Sequence, residues 1–220
     1  MKREIDLREI SDGKLYGSND LVKADCGDCA GCHACCCGIG QSIVLDPLDV
    51  LRLTAGLGTT LEGLLSGSVE LRVVDGIILP NLKMAGEREA CSFLNAEGRC
   101  SIHAFRPGIC RLFPLGRYYE NGDFRYFLQV HECRKENRTK VKVKKWIDTP
   151  EIKKYEAFVR DWHNFLLERE AQVQKSPEEA KAISMSVLKT FYLQPFAGEE
   201  SFYEEFARRL QAAKTAEENV

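Results

Sequence analysis

The stretch "DCGDCAGCHACCCG", Asp25 to Gly38, places six cysteines within twelve residues: Cys26, Cys29, Cys32, Cys35, Cys36 and Cys37. Thiols at this density need something to hold them, and whatever holds them sets how the chain folds around the tract. Gly27, Gly31 and Gly38, with alanines between, keep the side chains small. Small residues let backbone turn tightly about a ligand.

Disulfides are disfavoured on two grounds. The N-terminal residues "MKREIDLREISDGKLYG" contain no apolar leader, so the expected compartment is the reducing cytoplasm. Three consecutive cysteines would also need three partners diverging from one backbone point. Ten cysteines in such a compartment point to metal ligation first and thiol redox chemistry second. The 220 residues are 44% hydrophobic, enough for a packed core, and 31 basic against 33 acidic residues leave a net charge of −2. That balance gives no global signal for nucleic acid or membrane, and no apolar run nears the roughly 18 residues of a membrane span.

Outward from the tract, residues 1–25 read as a strand and a loop. "LDPLDVLRL" (45–53) opens a helix with Asp46 as N-cap and Pro47 at the first position. Gly56 and Gly58 stop it, and Thr60 caps a second short helix. "VELRVVDGIILPNL" (69–82) and "RYYENGDFRYFLQV" (117–130) read as hairpins about Asp75-Gly76 and Asn121-Gly122. Beyond Glu151, the apolar positions Tyr155, Phe158, Val159, Trp162, Phe165 and Leu166 have helical spacing. Ser176, Pro177 and Glu179 predict the start of a second helix running to about Tyr192, and Phe202, Tyr203, Phe206 and Leu210 mark a third. The expected fold is α+β: a cysteine-rich module of short helices and hairpins over 1–148, and a helical extension packing on it over 149–220.

Thiolates suit Zn²⁺, Cu(I) and iron–sulfur clusters. Cys26-x2-Cys29-x2-Cys32-x3-Cys36 has the bacterial ferredoxin spacing, but Cys37 stands where that pattern carries proline and no second run follows. Cys91, Cys100, Cys110 and Cys133 lie far along the chain, near turns or strand ends. They are expected to be brought to the early tract by folding. Ten thiols exceed one four-coordinate site, so two metals or two clusters are within reach.

Cys29-x2-Cys32-x2-Cys35-Cys36, "LDPLDVLRL" and "CSFLNAEGRCSIHAFRPGICRLFP" (91–114) together resemble the zinc- or iron-chelating cysteine-cluster family, the CxxCxxCC proteins. The resemblance spans about residues 26–133, with an echo in "VKKWI" (143–147). It implies that Cys29, Cys32, Cys35, Cys36, Cys91, Cys100 and Cys110 are the family's cysteines, with Cys133 a later one of longer members. Cys26 and Cys37 are additional, and His33 stands where glycine is usual. The resemblance implies metal chelation. One branch is similar to the flagellin lysine methylases, which carry an iron–sulfur cluster.

His33, His103 and His131 are candidate ligands or N–H donors to sulfur, while His163 lies on a helix with no partner in the motifs. Arg106, Arg111 and Arg117 can balance a thiolate-rich site, anchor an anionic substrate, or pair with Glu97 or Asp123. "RKENRTKVKVKK" (134–145) fits a lysine-protected edge strand, and without interleaved aromatics nucleic acid is the weaker reading. "CGIGQS" (37–42) lacks the lysine of a phosphate loop. The sequence therefore predicts a cytoplasmic metalloprotein binding iron, as one or two [4Fe–4S]-type clusters, or zinc. Its candidate ligands are Cys26, Cys29, Cys32, Cys35, Cys36, Cys37, Cys91, Cys100, Cys110 and Cys133. A cluster-dependent, methyltransferase-like enzyme, a ferredoxin-like carrier and a structural zinc site stay open, as does a protein partner for the helical tail.

Overall fold

The computed structural model describes residues 6–27, 32–135 and 137–218. In chain order the elements are α1 (Leu7–Ile10), β1 (Leu21–Asp25), α2 (Pro47–Leu57), α3 (Leu61–Leu65), β2 (Val69–Val74), β3 (Ile77–Leu82), β4 (Met84–Ala85) and β5 (Ala90–Cys91). There follow α4 (Gly108–Leu112), β6 (Leu115–Glu120), β7 (Asp123–Leu128), β8 (Thr139–Lys142), α5 (Val143–Ile147), α6 (Ile152–Lys175), α7 (Ala180–Leu188) and α8 (Phe202–Glu218). The strands form two-stranded antiparallel ladders, β1–β8, β2–β3, β4–β5 and β6–β7. The fold is thus α+β with a helical C-terminal region. No helix among the described residues is long and apolar enough to cross a membrane.

The chain divides into two compact units that interleave in sequence: residues 44–83 group with 153–220, and 2–43 with 84–152. In the first, local chemistry sets the elements. Asp46 accepts from the Asp49 amide and the Asp49 side chain accepts from the Asp46 amide, closing a capping box on α2. Gly58, left-handed at φ 62°, ends that helix. Asp75 and Gly76 both have positive φ (50° and 87°), as the two-residue hairpin turn between β2 and β3 requires.

Long-range contacts then fix this unit. The Ile78 amide donates to Ser184 Oγ on α7 (3.0 Å), and Tyr192 Oη donates to the Leu45 carbonyl (2.8 Å). Its core is aromatic. Phe158 meets Phe202 and Phe206 edge-on, with ring centroids 5.0 and 4.7 Å apart, and Trp162 meets Phe191 at 5.0 Å. The start of the second C-terminal helix differs from expectation. Ser176 makes no side-chain cap, Pro177–Glu179 form a 3-10 turn, and α7 begins only at Ala180. At its far end Lys189–Leu193 adopt a π-helical turn. Arg209 binds the carbonyls of Thr190, Gln194 and Pro195 at 2.7–2.8 Å, satisfying groups that the wider turn leaves open.

The second unit is built on two ladders. β6 and β7 pair about Asn121-Gly122, and the Phe127 ring lies against Gly116, where an added Cβ would come within 2.3 Å of it. Isolated bridges join Ser11 to Gln129 and Tyr16 to Tyr126. In β1–β8, Val22 pairs with Val141 and Asp25 with Thr139, with a bulge between. Lys140 and Lys142 are exposed on β8, the pattern of a lysine-guarded edge strand. Trp146 on α5 donates to the Phe113 carbonyl (3.1 Å).

Phe158 is buried at the centre of the aromatic cluster. Phe158→Ala is expected to destabilise the protein by roughly 3–5 kcal/mol, read as a lower urea midpoint of unfolding.

Candidate metal centre

Two short stretches of backbone pairing bring early and late cysteines together. Cys37 forms an antiparallel bridge with Ala90. The next residue, Gly38, is left-handed at φ 68°, and its amide faces the carbonyls of Arg88 and Glu89 (3.2 and 3.1 Å). Residues opposed in such a bridge have Cα atoms about 4.5–5.5 Å apart. The one-turn 3-10 helix Ala34–Cys36, carrying Cys35 and Cys36, therefore leads directly to β5, which ends in Cys91.

From Cys91 the chain reverses. The Leu94 amide donates to the Cys91 carbonyl (2.9 Å), Leu94 bridges Cys100, and the Ser101 amide donates to the Phe93 carbonyl (2.9 Å). The turn between them contains Gly98, left-handed at φ 70°, with the His33 ring against it; an added Cβ would lie 2.9 Å from His33 Nδ1. A second 3-10 turn, His103–Phe105, leads to α4 and Cys110. A different ladder positions the other cysteines. Cys26 follows Asp25 at the end of β1, and Asp25 pairs with Thr139, whose Oγ1 donates to Asp25 Oδ2 (3.4 Å). Cys133 lies in the loop that enters β8 at Thr139.

Nine cysteines are thiols, none joined in a disulfide and all half-buried; Cys29 lies outside the described residues. Electrostatics sorts them into neighbourhoods. A hydrogen bond from Cys36 lowers the Cys35 pKa to about 7 against the effect of burial, helped by its own backbone amide and by the charge of Arg106. The same bond pushes Cys36 far above the thiol range, and burial and the charges of Cys35, Cys100 and Cys110 add to it. Burial raises Cys91, with contributions from Cys100, Cys37 and Cys35, and burial raises Cys100 while Arg106 opposes it. Cys133 is raised by burial; the thiols acting most on it are Cys26 and Cys32, and Arg138 opposes them.

One local geometry recurs. The amide two residues on donates to the sulfur at Cys91 (from Phe93), at Cys100 (from Ile102) and at Cys133 (from Lys135). A donor aimed at sulfur favours the thiolate, and outer hydrogen bonds of this kind orient metal ligands. Among the described residues, no three His, Cys, Asp or Glu side chains are gathered closely enough to hold a single metal ion. The donor set nevertheless fits a thiophilic group: half-buried sulfurs with amide donors already in place, and guanidinium charge beside them.

The histidines and arginines differ in position. His103 contacts Arg106 Nη1 through Nε2. Arg106 is the cation nearest in effect to Cys35 and Cys100. Arg111 is buried and donates to the carbonyls of Arg106, Ala104 and Asp148, which makes it a backbone brace. Arg117 lies over the Phe124 ring on the β6–β7 hairpin, its Cζ 5.8 Å from the centroid. His131 is exposed, and His163 lies on α6 in the other unit. Arg138 is taken by sequence reading only as part of the basic run. Its Nε and Nη1 are enclosed and have no hydrogen-bond partner among the described residues. Nothing in its spacing marks it, nor does spacing mark the amides of Phe93, Ile102 and Lys135.

Residues 28–141, more than half of the chain, match the CxxCxxCC family, described as a putative zinc- or iron-chelating domain. The chain belongs to that family. No curated protein and no solved structure matches it, so the likeness to flagellin lysine methylases gains no support from these comparisons.

In the metal-free protein, Cys35 should be the first thiol alkylated by iodoacetamide, with its rate half-maximal near pH 7. Cys36→Ala removes the donor and should move that midpoint up toward ordinary thiol values, while Cys36→Ser keeps a donor and should move it less. Mass mapping of the labelled peptide across pH reads both outcomes.

Proposed function

We propose that this protein carries iron as a [4Fe–4S]-type cluster, bound by thiolates drawn from Cys35, Cys36, Cys37, Cys91, Cys100 and Cys110, in a reducing cytoplasmic setting. The observation that carries the reading is the bridge of Cys37 to Ala90, which sets the early tract beside Cys91 and the Cys91–Cys100 turn. The group offers more sulfurs than one tetrahedral ion takes, spread over three chain segments. A polynuclear iron–sulfur group is held in this way, whereas zinc needs four sulfurs about 2.3 Å from one point. Cys29, the family's first cysteine, and the thiols Cys26, Cys32 and Cys133 complete the ligand supply.

Each residue has a defined task. The thiolates ligate; the Phe93 and Ile102 amides donate to sulfur; Arg106 offsets the negative charge; Arg111 holds the His103–Arg106 turn to Asp148. The cluster would supply one-electron chemistry or an anchor for the fold. Because Arg106 engages His103 and Arg111 is spent on carbonyls, these side chains are committed to internal contacts. That favours a carrier or metal-handling role over one in which they grip a substrate.

The protein purified without oxygen should be brown and contain iron and acid-labile sulfide; stoichiometric zinc with no visible absorption would replace the cluster by zinc. Cys100→Ser should remove most of the iron and the visible absorption together. Unchanged iron content in that variant would take Cys100 off the ligand list.

A further inference from the structure

The strand edges of this chain are not protected alike. On β8 the exposed side chains include Lys140 and Lys142, the pattern that blunts pairing with a further strand. β2 belongs to a two-stranded ladder with β3, so among the described residues no strand lies on its other side. Its exposed side chains are apolar: Leu71 is 45% and Val73 68% exposed.

The register fixes which backbone groups face that open side. Leu71 pairs with Pro80, and Val73 with Ile78. Pro80 has no N–H, and its carbonyl accepts from the Leu45 amide (2.9 Å); the Ile78 amide donates to Ser184 Oγ (3.0 Å). Both β3 residues thus bond away from β2, which makes these the non-hydrogen-bonded pairs of the ladder. The N–H and C=O groups of Leu71 and Val73, and by alternation those of Val69, therefore point outward from β2.

The segment Val69-Glu70-Leu71-Arg72-Val73 is complementary to its own reverse. An antiparallel copy centred on Leu71 sets Leu71 opposite Leu71, Val69 opposite Val73 and Glu70 opposite Arg72. The outward-facing residues then meet as hydrogen-bonded pairs, and Glu70 meets Arg72 of the second copy at the closer, non-hydrogen-bonded positions. Within one chain Glu70 and Arg72 already form an ion pair on one face of β2 (2.6 Å), so charges alternate in sign across the seam. A parallel copy in the same register would set like charges side by side.

We infer that β2 is a homodimer seam, in which a second copy of this chain adds its β2 antiparallel to the first and makes a continuous sheet β3–β2–β2–β3 about a two-fold axis. The far edge of β3 is taken by the Val44–Asn81 bridge and by Ser184, so the pairing closes at two chains. A strand this short buries less than the roughly 1,000 Å² of a stable interface, so the dimer is reversible and forms as concentration rises.

Sedimentation velocity of the full chain, kept reduced, should shift from one chain to two with increasing concentration. Leu71→Lys sets like charges opposite each other at an exposed position and should leave the chain single. Glu70→Arg or Arg72→Glu alone should weaken association by about tenfold, because each change acts twice across the two-fold axis. Combining Glu70→Arg with Arg72→Glu restores opposite charges in this register and should restore the dimer. A wild-type chain that stays single at every concentration overturns the seam and leaves the edge to a strand of another protein. A dimer that Leu71→Lys leaves intact, or a charge exchange that binds no tighter than either single change, overturns it as well. If Leu71→Lys does not fold, the charge series decides.

Discussion

The pairing of Cys37 with Ala90 is the constraint on which the cysteine site depends. Fifty-two residues separate the two positions in sequence, and one backbone bridge, secured by the Gly38 amide on Arg88 and Glu89, cancels that distance. Gly38 is needed for it: the residue leaves the bridge at φ 68°, a region where a Cβ is strained. With the tract held to β5, the Leu94–Cys100 bridge folds the following turn back beside the strand that ends in Cys91.

This arrangement carries an electrostatic cost that explains its chemistry. The hydrogen bond to Cys35, with burial, holds Cys36 in the thiol form, burial does so for Cys91, Cys100 and Cys133, and each sulfur ionised makes its neighbours harder to ionise. The amides of Phe93, Ile102 and Lys135 and the guanidinium groups of Arg106 and Arg138 offset part of that cost. A metal cation adds positive charge in direct contact with the sulfurs, and thiolate ligation accordingly releases protons on binding. Cys35 is the exception, because its Cys36 partner donates directly to it.

Local chemistry was legible in the sequence wherever one or two residues dictate the backbone. Asp46-Pro47 opened α2, Gly58 closed it, and Asp75-Gly76 and Asn121-Gly122 turned both hairpins with paired positive φ. Ser176 shows the limit of such reasoning, since its motif was followed by a 3-10 turn and no side-chain cap. The π-helical turn at Lys189–Leu193 could not be read at all, because Arg209, which satisfies the carbonyls around it, lies on α8. Likewise, the interleaving of 44–83 with 153–220 depends on contacts such as Ile78 to Ser184 and Tyr192 to Leu45. Cysteine spacing named the sulfurs; which neighbour each one has, and which guanidinium stands by it, is a tertiary fact.

The two units also differ in what can hold them. Around Phe158 and Trp162, stacked and edge-on aromatic rings supply a dry core that needs no ligand. From Asp25 to Ser42, by contrast, no described residue is buried. That stretch's described residues are tied down by backbone hydrogen bonds and are at most half-buried, so little of the usual burial energy is available there. On the proposed reading, such a segment gains order from coordination, since the free energy of closing thiolates on a metal is also free energy of folding. The density of cysteine in this tract and the scarcity of apolar burial then become one feature, with coordination taking the role that side-chain packing performs in the aromatic unit.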